Sequence, residues 1–374
     1  MTANAQLLVR DWKDVLPLSY EHLSKYHGSE YPGGVGLAWQ ALRFALPALA
    51  DGGVARREDI LLKTPFPGVG FFDAVEMATR ASSRKAFHLL DGMAMLGNPP
   101  ASPNRGHFYF ELHAAGGVAV FSLKHGLVPE EFYVLSEANA RSPLQGAERA
   151  RLMDLRGAVG MALRSSKPED VFDCHYLSPL PRAREREEVE NDTPLDLSVE
   201  DALPPLSVTD GGLPLSIGYG EMLRYAGRKS ECGVAAAYVL LKQALPLLSP
   251  EGAPERKDIA IRCGIFGQGI VDGLEMVTRA VGGGRLTIDE RLGQGQVTAP
   301  DGQTGGSFLF DIAVGERKGR FVLKKALDPK RYFELCRLRD GRGLDEAEKL
   351  EIERERVAFS KALLEADEAY EAVL

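Results

Sequence analysis

The stretch DGLEMVTR, which runs from Asp272 to Arg279, decides how this chain is organised. It occurs earlier as DAVEMATR, from Asp73 to Arg80, and corresponding positions lie 199 residues apart. A match of this kind at one fixed distance indicates an internal duplication. The chain of 374 residues is also longer than a single hydrophobic core normally grows, so we expect at least two domains.

Two further matches extend the repeat toward the N-terminus. The quartet LPLS begins at Leu16 and again at Leu213, and the triplet ALP ends at Pro47 and again at Pro246. The first two positions differ by 197 residues, whereas the second two differ by 199. We therefore predict an insertion of two residues in the second copy between these points.

Each copy shows the same order of helix and strand patterns. A glycine-containing turn leads into an apolar helix, 37–49 in the first copy and 235–248 in the second. A short strand, a glycine-rich segment and the helix of the repeated stretch follow, and then two strands. Charged helical runs complete each copy. We predict an α+β fold of two tandem homologous helix-strand-helix-strand units that form an intramolecular pseudo-dimer, with C-terminal helices on each unit.

The copies are separated by a segment rich in charge and proline, which begins at Arg182 and reads RAREREEVENDTPLDLSVEDALPPL. This composition is typical of an exposed linker. We assign residues 1–177 to the first repeat, 178–211 to the linker and 212–374 to the second repeat. The cluster Asp173-Cys174-His175 is interpreted as the edge of the linker, because three adjacent residues seldom point at one metal ion.

The composition argues against several classes of partner. The net charge is −8 and no stretch combines dense Lys and Arg with aromatic residues, so we expect no nucleic-acid partner. No run approaches the roughly 18 apolar residues that cross a bilayer, so we expect no membrane partner. The four cysteines are scattered, which indicates reduced thiols. Without a basic and apolar leader at the start, the expected location is the cytoplasm.

The motifs around the repeated stretch resemble one known family. The turn HGSEYPG, from His27 to Gly33, resembles a His-Gly-His-Leu-Cys-Pro-Gly turn ahead of an apolar helix. Segments 71–79 and 270–278 resemble a helix that starts Cys-x-Val-Asp-Ala-Ile-Gln. Both motifs are those of the FmdE-like family, which is named after a component of formylmethanofuran dehydrogenase. The resemblance implies that each half is one such α+β domain, in a setting of one-carbon or molybdenum- or tungsten-linked metabolism.

The chain departs from this family at the positions that would bind a metal. The cysteine of the first motif is replaced by Tyr31 in one half and by Ser230 in the other. The cysteine before the Val-Asp pair is replaced by Gly70 and by Gly269. A borderline ion such as zinc prefers thiolate and imidazole ligands. We therefore predict that neither half keeps a metal site of the family type.

Two pairs of charged residues are candidates for ligand binding. Glu76 and Arg80, and their counterparts Glu275 and Arg279, stand four residues apart on a predicted helix, so each pair shares one face. In one interpretation each pair clamps an anionic ligand, because Arg offers a fork of donors to a carboxylate or phosphate. In the other, each pair is an intrahelical ion pair that stabilises the repeated unit.

Four more residues are candidates near the two glycine-containing turns. His27, beside Tyr31, is either an acid or base that works near neutral pH or a structural residue bonded to backbone, and the second half has Ala226 in its place. Cys232, close to Ser230 at the start of a predicted helix, is the best nucleophile candidate, because exposed helix amides lower the pKa of a thiol. The alternative for Cys232 is a small buried apolar residue.

Two functions follow from these candidates. The first is a non-metal protein that binds a small molecule or cofactor, or an accessory protein, with a pocket where the halves meet. The alternative is an enzyme with one active and one degenerate half. The sequence identifies no cofactor and no catalytic residue. As partners we expect a small-molecule ligand, and we leave open a partner protein or a homo-oligomer. The candidate site residues are His27, Tyr31, Glu76 and Arg80 in the first half, and Ser230, Cys232, Glu275 and Arg279 in the second.

Overall fold

A computed structural model of the chain describes residues 5–50, 53–103, 105–115, 117–178, 192–294, 297–302 and 306–373. The chain divides into two compact units, Met1–Leu195 and Asp196–Leu374. The division falls within the segment 178–211 that the sequence assigns to a linker. Residues 179–191 of that segment lie outside the described residues.

The first unit is a mixed five-stranded sheet with helices packed on it. In chain order it contains β1 (Leu7–Asp11), β2 (Asp14–Leu18), α1 (Tyr20–His27), α2 (Pro32–Leu49), β3 (Leu61–Thr64), α3 (Val69–Thr79), β4 (Phe87–Leu89), β5 (Tyr109–Ala114), β6 (Gly117–Leu123), α4 (Glu130–Arg141), α5 (Gly146–Ser165), α6 (Pro168–Val171) and β7 (Phe172–Ser178). The strand order in the sheet is β4-β3-β5-β6-β7, and β1 and β2 form a separate hairpin. Helix α2 packs against α1, α3 and α5 and against the middle of the sheet.

The second unit has the same architecture. In chain order it contains α7 (Ser198–Asp201), β8 (Leu206–Asp210), β9 (Leu213–Ile217), α8 (Tyr219–Ala226), α9 (Glu231–Leu248), β10 (Ile259–Cys263), α10 (Gln268–Thr278), β11 (Leu286–Ile288), β12 (Leu309–Val314), β13 (Arg317–Leu323), α11 (Lys330–Gly341), α12 (Glu346–Glu365) and β14 (Tyr370–Val373). Its sheet order is β11-β10-β12-β13-β14, and β8 and β9 form the hairpin. In each sheet one edge pair is parallel and the other pairs are antiparallel.

The bounds of the elements confirm the predicted α+β class and the plan of two similar units. From β1 to β4, each element of the first unit recurs in the second at the spacing that separates Asp73 from Asp272, apart from a shift by one position at the start of β3. From β5 to α5 the spacing is longer by one position. The long helices near the C-terminal end of each unit, α4 with α5 and α11 with α12, are the predicted C-terminal helices.

The predicted two-residue insertion is wrong. Strand β2 recurs as β9 at the same spacing as the helices that follow, so the counterpart of Leu213 is Asp14 and not Leu16. The two leucines differ in environment accordingly, since Leu16 is 0% exposed and Leu213 is 55% exposed. Strands alternate their faces with a period of two, so a slip of two residues preserves the pattern and makes the false match of the LPLS quartets plausible by sequence.

Parts of the chain that the sequence placed in or beside a linker are regular structure. Residues 198–210 include α7 and β8 of the second unit, and the hairpin pairs Leu206 with Ile217. Asp173-Cys174-His175, predicted to mark the edge of the linker, lies instead within β7, which pairs with β6. Composition misled here because β7 is an edge strand with mostly exposed side chains.

Close approach of helices depends on glycine in both units. A Cβ on Gly34 of α2 would lie 2.7 Å from the backbone N of Phe71 in α3, and a Cβ on Gly233 of α9 would lie 2.7 Å from that of Ile270 in α10. Residues Arg228–Leu248, which include α9, are long and apolar enough to cross a membrane, but 72% of the apolar 18-residue window within them is buried inside the structure. Burial of that kind is typical of a core helix.

Candidate functional site

The His27 imidazole, at the end of α1, uses both of its ring nitrogens in contacts with the protein. Nδ1 lies 2.8 Å from Oδ2 of Asp73 in α3, and the backbone N–H of Tyr31 donates to Nε2 at 3.1 Å. Because Nε2 accepts, the proton of the neutral ring lies on Nδ1 and is donated to the carboxylate. The side chains are 4% and 9% exposed. His27 therefore ties the turn between α1 and α2 to α3.

The second unit satisfies the corresponding carboxylate in a different way. Ala226 stands in the position of His27, and Asp272, the counterpart of Asp73, accepts a hydrogen bond of 2.8 Å from Nε2 of Gln268. Gln268 occupies the position that Val69 has in the first unit. The first unit thus has His27 and Val69 where the second has Ala226 and Gln268, and Val69 and Gln268 lie one helical turn before the aspartate. This exchange of donors is a structural compensation.

Glu76 and Glu275 bind the turn that follows their helix. Oε2 of Glu76 accepts from the backbone N–H of Ser82 at 2.8 Å and of Ser83 at 3.1 Å. Oε2 of Glu275 accepts from the backbone N–H of Val281 at 2.7 Å. The two glutamates are 4% and 5% exposed, and carboxylates bonded to backbone amides inside a fold are structural anchors.

The arginine of each pair ends its helix in a left-handed conformation. Arg80 has φ 57° and Arg279 has φ 52°, a region that residues other than glycine seldom adopt. The Nη1 atom lies 3.5 Å from Glu76 in the first unit and 2.9 Å from Glu275 in the second. The Glu–Arg pairs are therefore intrahelical ion pairs at the C-terminal ends of α3 and α10, whereas the His27 contact is nearer the middle of α3, at Asp73.

Sequence reasoning missed a buried arginine that caps the same helix end in each unit. Arg57 donates to the carbonyls of Ala78 and Met77 at 2.9 and 3.2 Å, and Arg256 donates to those of Val277 and Met276 at 2.8 and 2.7 Å. Burial lowers the pKa of Arg57, which also contacts Asp11 at 2.9 Å. The sequence does show that the two arginines recur at the spacing of the repeat. Their burial was not expected because arginine is rarely found in a core. Both satisfy terminal helix carbonyls.

Cys232 is a buried thiol and does not have the lowered pKa that its place at a helix start suggested. Its Sγ donates to Oη of Tyr332 at 3.4 Å. Burial raises the pKa of the thiol to about 11, and this effect exceeds that of the hydrogen bond. Ser230 precedes α9 and packs closely on Gly269, because a Cβ added to Gly269 would lie only 2.4 Å from the Ser230 carbonyl oxygen. These contacts make Cys232 a core residue.

Tyr31 is the candidate residue that reaches open space. It lines a cavity of about 340 Å³ in the first unit, bounded by α2, the start of α3, α4 and α5. The lining is mostly apolar, and its apolar side chains include Leu37, Phe66, Phe108, Leu123, Phe132 and Val159. Gly68 and Gly70 bring backbone to its wall, and a Cβ on Gly70 would lie 2.4 Å from the carbonyl oxygen of Tyr31 and 3.3 Å from Nε2 of His27.

The polar groups at this cavity are few. Tyr31, Ser136, Asn139 and Arg156 contribute them, and of the described residues that line the cavity Arg156 alone carries a charge. The guanidinium carbon of Arg156 lies 4.3 Å from the centroid of the Tyr31 ring. Burial raises the pKa of the Tyr31 hydroxyl, so it remains a neutral hydrogen-bonding group at neutral pH. A small number of placed polar groups in an apolar cleft is typical of a ligand pocket.

Aromatic rings pack against one another at the equivalent place in the second unit. Phe359 occupies the position in α12 that Val159 has in α5, and it packs edge-on against Phe308 with ring centroids 6.1 Å apart. Phe333 stacks on the same ring at 5.8 Å. Phe308 corresponds to Phe108, which faces the cavity in the first unit. The two units therefore differ where the first has its cavity, although their folds agree.

A second difference lies on the sheet, around the cluster that the sequence placed at the linker edge. His175 is the additional residue at a register shift in β7, and its Nε2 lies 2.8 Å from Oγ of Ser122 in β6. Its ring stacks with Tyr109 at 6.3 Å. The second unit has Leu309 and Val322 at the positions of Tyr109 and Ser122, in a small apolar cluster with Leu292. Asp173 and Cys174 are exposed neighbours of His175 in the strand.

Within the described part of the chain, no group of three or more His, Cys, Asp and Glu side chains is arranged to hold a metal ion. The positions at which the resemblance implies cysteines are occupied by Tyr31 and Gly70 in the first unit, in contact with each other, and by Ser230 and Gly269 in the second. Neither a scan against protein-family models nor a search of curated proteins finds a match to this chain.

Proposed function

We propose that the first unit binds a small, largely apolar molecule in the cavity lined by Tyr31 and Val159, and that the second unit has become a packed structural copy. The observation that carries the proposal is the difference at one equivalent position. Val159 leaves the space in front of Phe108 open, whereas Phe359 packs against Phe308. A volume of about 340 Å³ falls within the range of small-molecule sites.

Burial of apolar surface is the main driving force for such a ligand. Each square ångström of apolar area removed from water contributes roughly 25 cal/mol, before the costs of association are subtracted. The phenylalanine rings and branched side chains of the lining offer this surface, and the close packing of α2 on α3 at Gly34 holds the wall in place. The pocket is therefore formed before the ligand arrives.

Binding is a better-supported function than catalysis because of what faces the cavity. The described lining residues include no His, Cys, Asp or Glu side chain. His27 and Glu76 are engaged in buried contacts, and the thiol of Cys232 is neutral at physiological pH. A general base or nucleophile needs a reactive atom within hydrogen-bond reach of its substrate. Of the candidate residues of the enzyme alternative, Tyr31 alone lines the cavity, and its raised pKa keeps its hydroxyl neutral.

The cellular setting is a further part of the proposal. All four cysteines are free, which suits a reducing compartment, so we propose a cytoplasmic protein. The resemblance of the HGSEYPG turn and of the repeated helix to FmdE-like proteins favours a role in one-carbon or molybdenum- or tungsten-linked metabolism. The proposed ligand pocket takes the place of a metal site, since Tyr31 and Gly70 stand where the family has cysteines.

The substitution Val159→Phe tests the proposal, because it introduces the ring that fills the second unit. Octanol serves as an uncharged apolar probe, and calorimetric titration measures its dissociation constant. We expect Val159→Phe to weaken octanol binding at least tenfold. The matched control is Val134→Phe, which adds the same bulk on α4 at a side chain that is 58% exposed and does not line the cavity. Equal octanol binding by wild type and Val159→Phe, or no binding by wild type, would overturn the proposal.

A further inference from the structure

The environment of Arg156 indicates what kind of ligand the cavity takes. This arginine lines the cavity from α5, and its side chain is 11% exposed. Its nearest recorded carboxylate belongs to Glu30, at 4.0 Å, and that side chain is 63% exposed to solvent. The remaining contacts of its Nη1 are the backbone carbonyl of Glu30 at 3.5 Å and the sulfur of Met153 at 3.6 Å. A thioether is a weak acceptor, so the positive charge is incompletely matched.

The second unit shows how the same arginine is neutralised when no ligand is needed. Arg356, the counterpart of Arg156, forms an ion pair of 2.6 Å with Glu353 on the preceding turn of α12. Glu353 stands in the position of Met153. Both arginine side chains are 11% exposed, so burial does not explain the difference. The first unit pairs its buried cation only with the solvent-exposed Glu30 at 4.0 Å, whereas the second unit, with Lys229 in the place of Glu30, supplies a close carboxylate from its own helix.

A largely desolvated guanidinium gains most from an acceptor that carries the opposite charge. Removing a charged group from water is costly unless it is paired, and the planar fork of arginine fits a carboxylate with two parallel N–H donors. Among the described residues the lining offers one cation, which suits a singly charged head group. The neighbouring Tyr31 ring makes a cation–π contact with the guanidinium, which helps to order its donors in advance.

We propose that the ligand of the first unit is an apolar monocarboxylate, whose carboxylate accepts hydrogen bonds from Arg156 and whose apolar part fills the cavity between Tyr31 and Val159. This inference rests on the proposed binding function. It adds the requirement that the ligand carries a negative charge. Met153, unlike Glu353 of the second unit, leaves the charge of Arg156 available for that ligand. The same position in the second unit, Glu353, supplies an internal carboxylate in place of the ligand.

Octanoate and octanol have chains of the same length and differ in charge at pH 7. Comparing them therefore distinguishes the need for a carboxylate from binding in the cavity as such. The measured quantity is the ratio of the octanol to the octanoate dissociation constant, obtained by calorimetric titration of the full chain. Met153→Glu provides the internal partner seen in the second unit, and Arg156→Met removes the charge. We expect each substitution to lower the ratio at least tenfold, because it weakens the binding of the charged octanoate much more than the binding of the uncharged octanol.

Two control substitutions, Glu353→Met and Arg356→Met, alter the equivalent positions of the second unit and should leave the ratio unchanged. A ratio that changes less than threefold in both Met153→Glu and Arg156→Met overturns the carboxylate inference. If octanol still binds in that case, and Val159→Phe still weakens it, the proposed binding function stands. If octanol fails to bind wild type, the binding function itself is wrong.

Discussion

The ring of Phe359 lies edge-on to the ring of Phe308, with centroids 6.1 Å apart, at the place where the first unit has Val159 beside an open cavity. This relationship is the basis of the proposed function. The two units share a fold and differ at this position, where we propose that the first unit binds a molecule and the second has packed rings. Buried packing of this kind stabilises a fold, whereas a cavity lacks these contacts.

Filling the cavity should stabilise the first unit. Val159→Phe adds apolar surface that the cavity can bury, and we expect the free energy of unfolding to rise by about 1 kcal/mol. Urea unfolding followed by circular dichroism measures the change. Val134→Phe, at an exposed site, should leave the free energy of unfolding unchanged within about 0.5 kcal/mol. A loss of stability in Val159→Phe would show that the cavity cannot accept the ring as the second unit does.

The contact between His27 and Asp73 should be replaceable by the solution that the second unit uses. His27→Ala removes a donor from a buried carboxylate, and we expect a loss of about 2 kcal/mol in the free energy of unfolding. Adding Val69→Gln recreates the pairing of Gln268 with Asp272, and should restore at least half of this loss. Urea unfolding of the single and double variants checks both values.

The control for that exchange is Val69→Gln alone, which should have a small effect on stability because the Val69 side chain is 56% exposed. A double variant no more stable than His27→Ala would mean that the two aspartates are not satisfied in equivalent ways. Octanol binding should survive in folded His27→Ala, since His27 does not line the cavity.

The glutamates of the repeated stretch should affect stability and not ligand binding. Glu76→Gln weakens the bonds to the amides of Ser82 and Ser83, and Glu275→Gln weakens the bond to the amide of Val281. We expect each substitution to lower the free energy of unfolding by about 1 to 2 kcal/mol. Thermal melting and octanoate titration of the same samples separate the effects. A tenfold loss of octanoate affinity in folded Glu76→Gln would favour the clamp interpretation instead.

The buried thiol of Cys232 predicts how stability depends on pH. Its pKa is about 11 in the folded chain, above the value near 8.5 of an unperturbed thiol. The buried neutral thiol of Cys232 therefore contributes its full stabilisation below about pH 8.5, and this contribution is lost as the pH rises toward 11. Between pH 8 and pH 10 we expect wild type to lose about 2 kcal/mol more of its free energy of unfolding than Cys232→Ala does. Parallel losses in both proteins, measured by urea unfolding, would show that this thiol is not the group responsible.

Local patterns predicted several of the elements that bury one face, although not β1, β2 or α1. The apolar runs predicted α2 and α9, and the alternation of apolar and polar residues predicted β3, β5 and β6 with their counterparts. Burial of one face imposes the helical and the strand period on the sequence. Strands β7 and β14 were missed because they are edge strands with exposed side chains. The match of the LPLS quartets was misleading because a slip of two residues keeps strand faces in phase.

The candidate site depended on contacts that sequence spacing does not encode. His27 and Asp73 are 46 residues apart in the chain, and Arg57 reaches Ala78 across 21 residues. The sequence selected Tyr31, which does line the cavity, for its place in a motif. Arg156 and Met153 lie on a helix that looks like an ordinary charged run. Their proposed role follows only from comparing the two units in the structure, where Arg356 pairs with Glu353 and Arg156 has Met153 at the same place.

The most direct test of the central claim is the position of bound octanoate, measured by intermolecular nuclear Overhauser effects with methyl-labelled protein. We predict contacts from the octanoate chain to the methyl groups of Val159, Leu37 and Leu123, and none to those of the second unit at Leu323 and Leu363. Contacts that map to the second unit, or to surface methyl groups such as those of Val134, would contradict the claim.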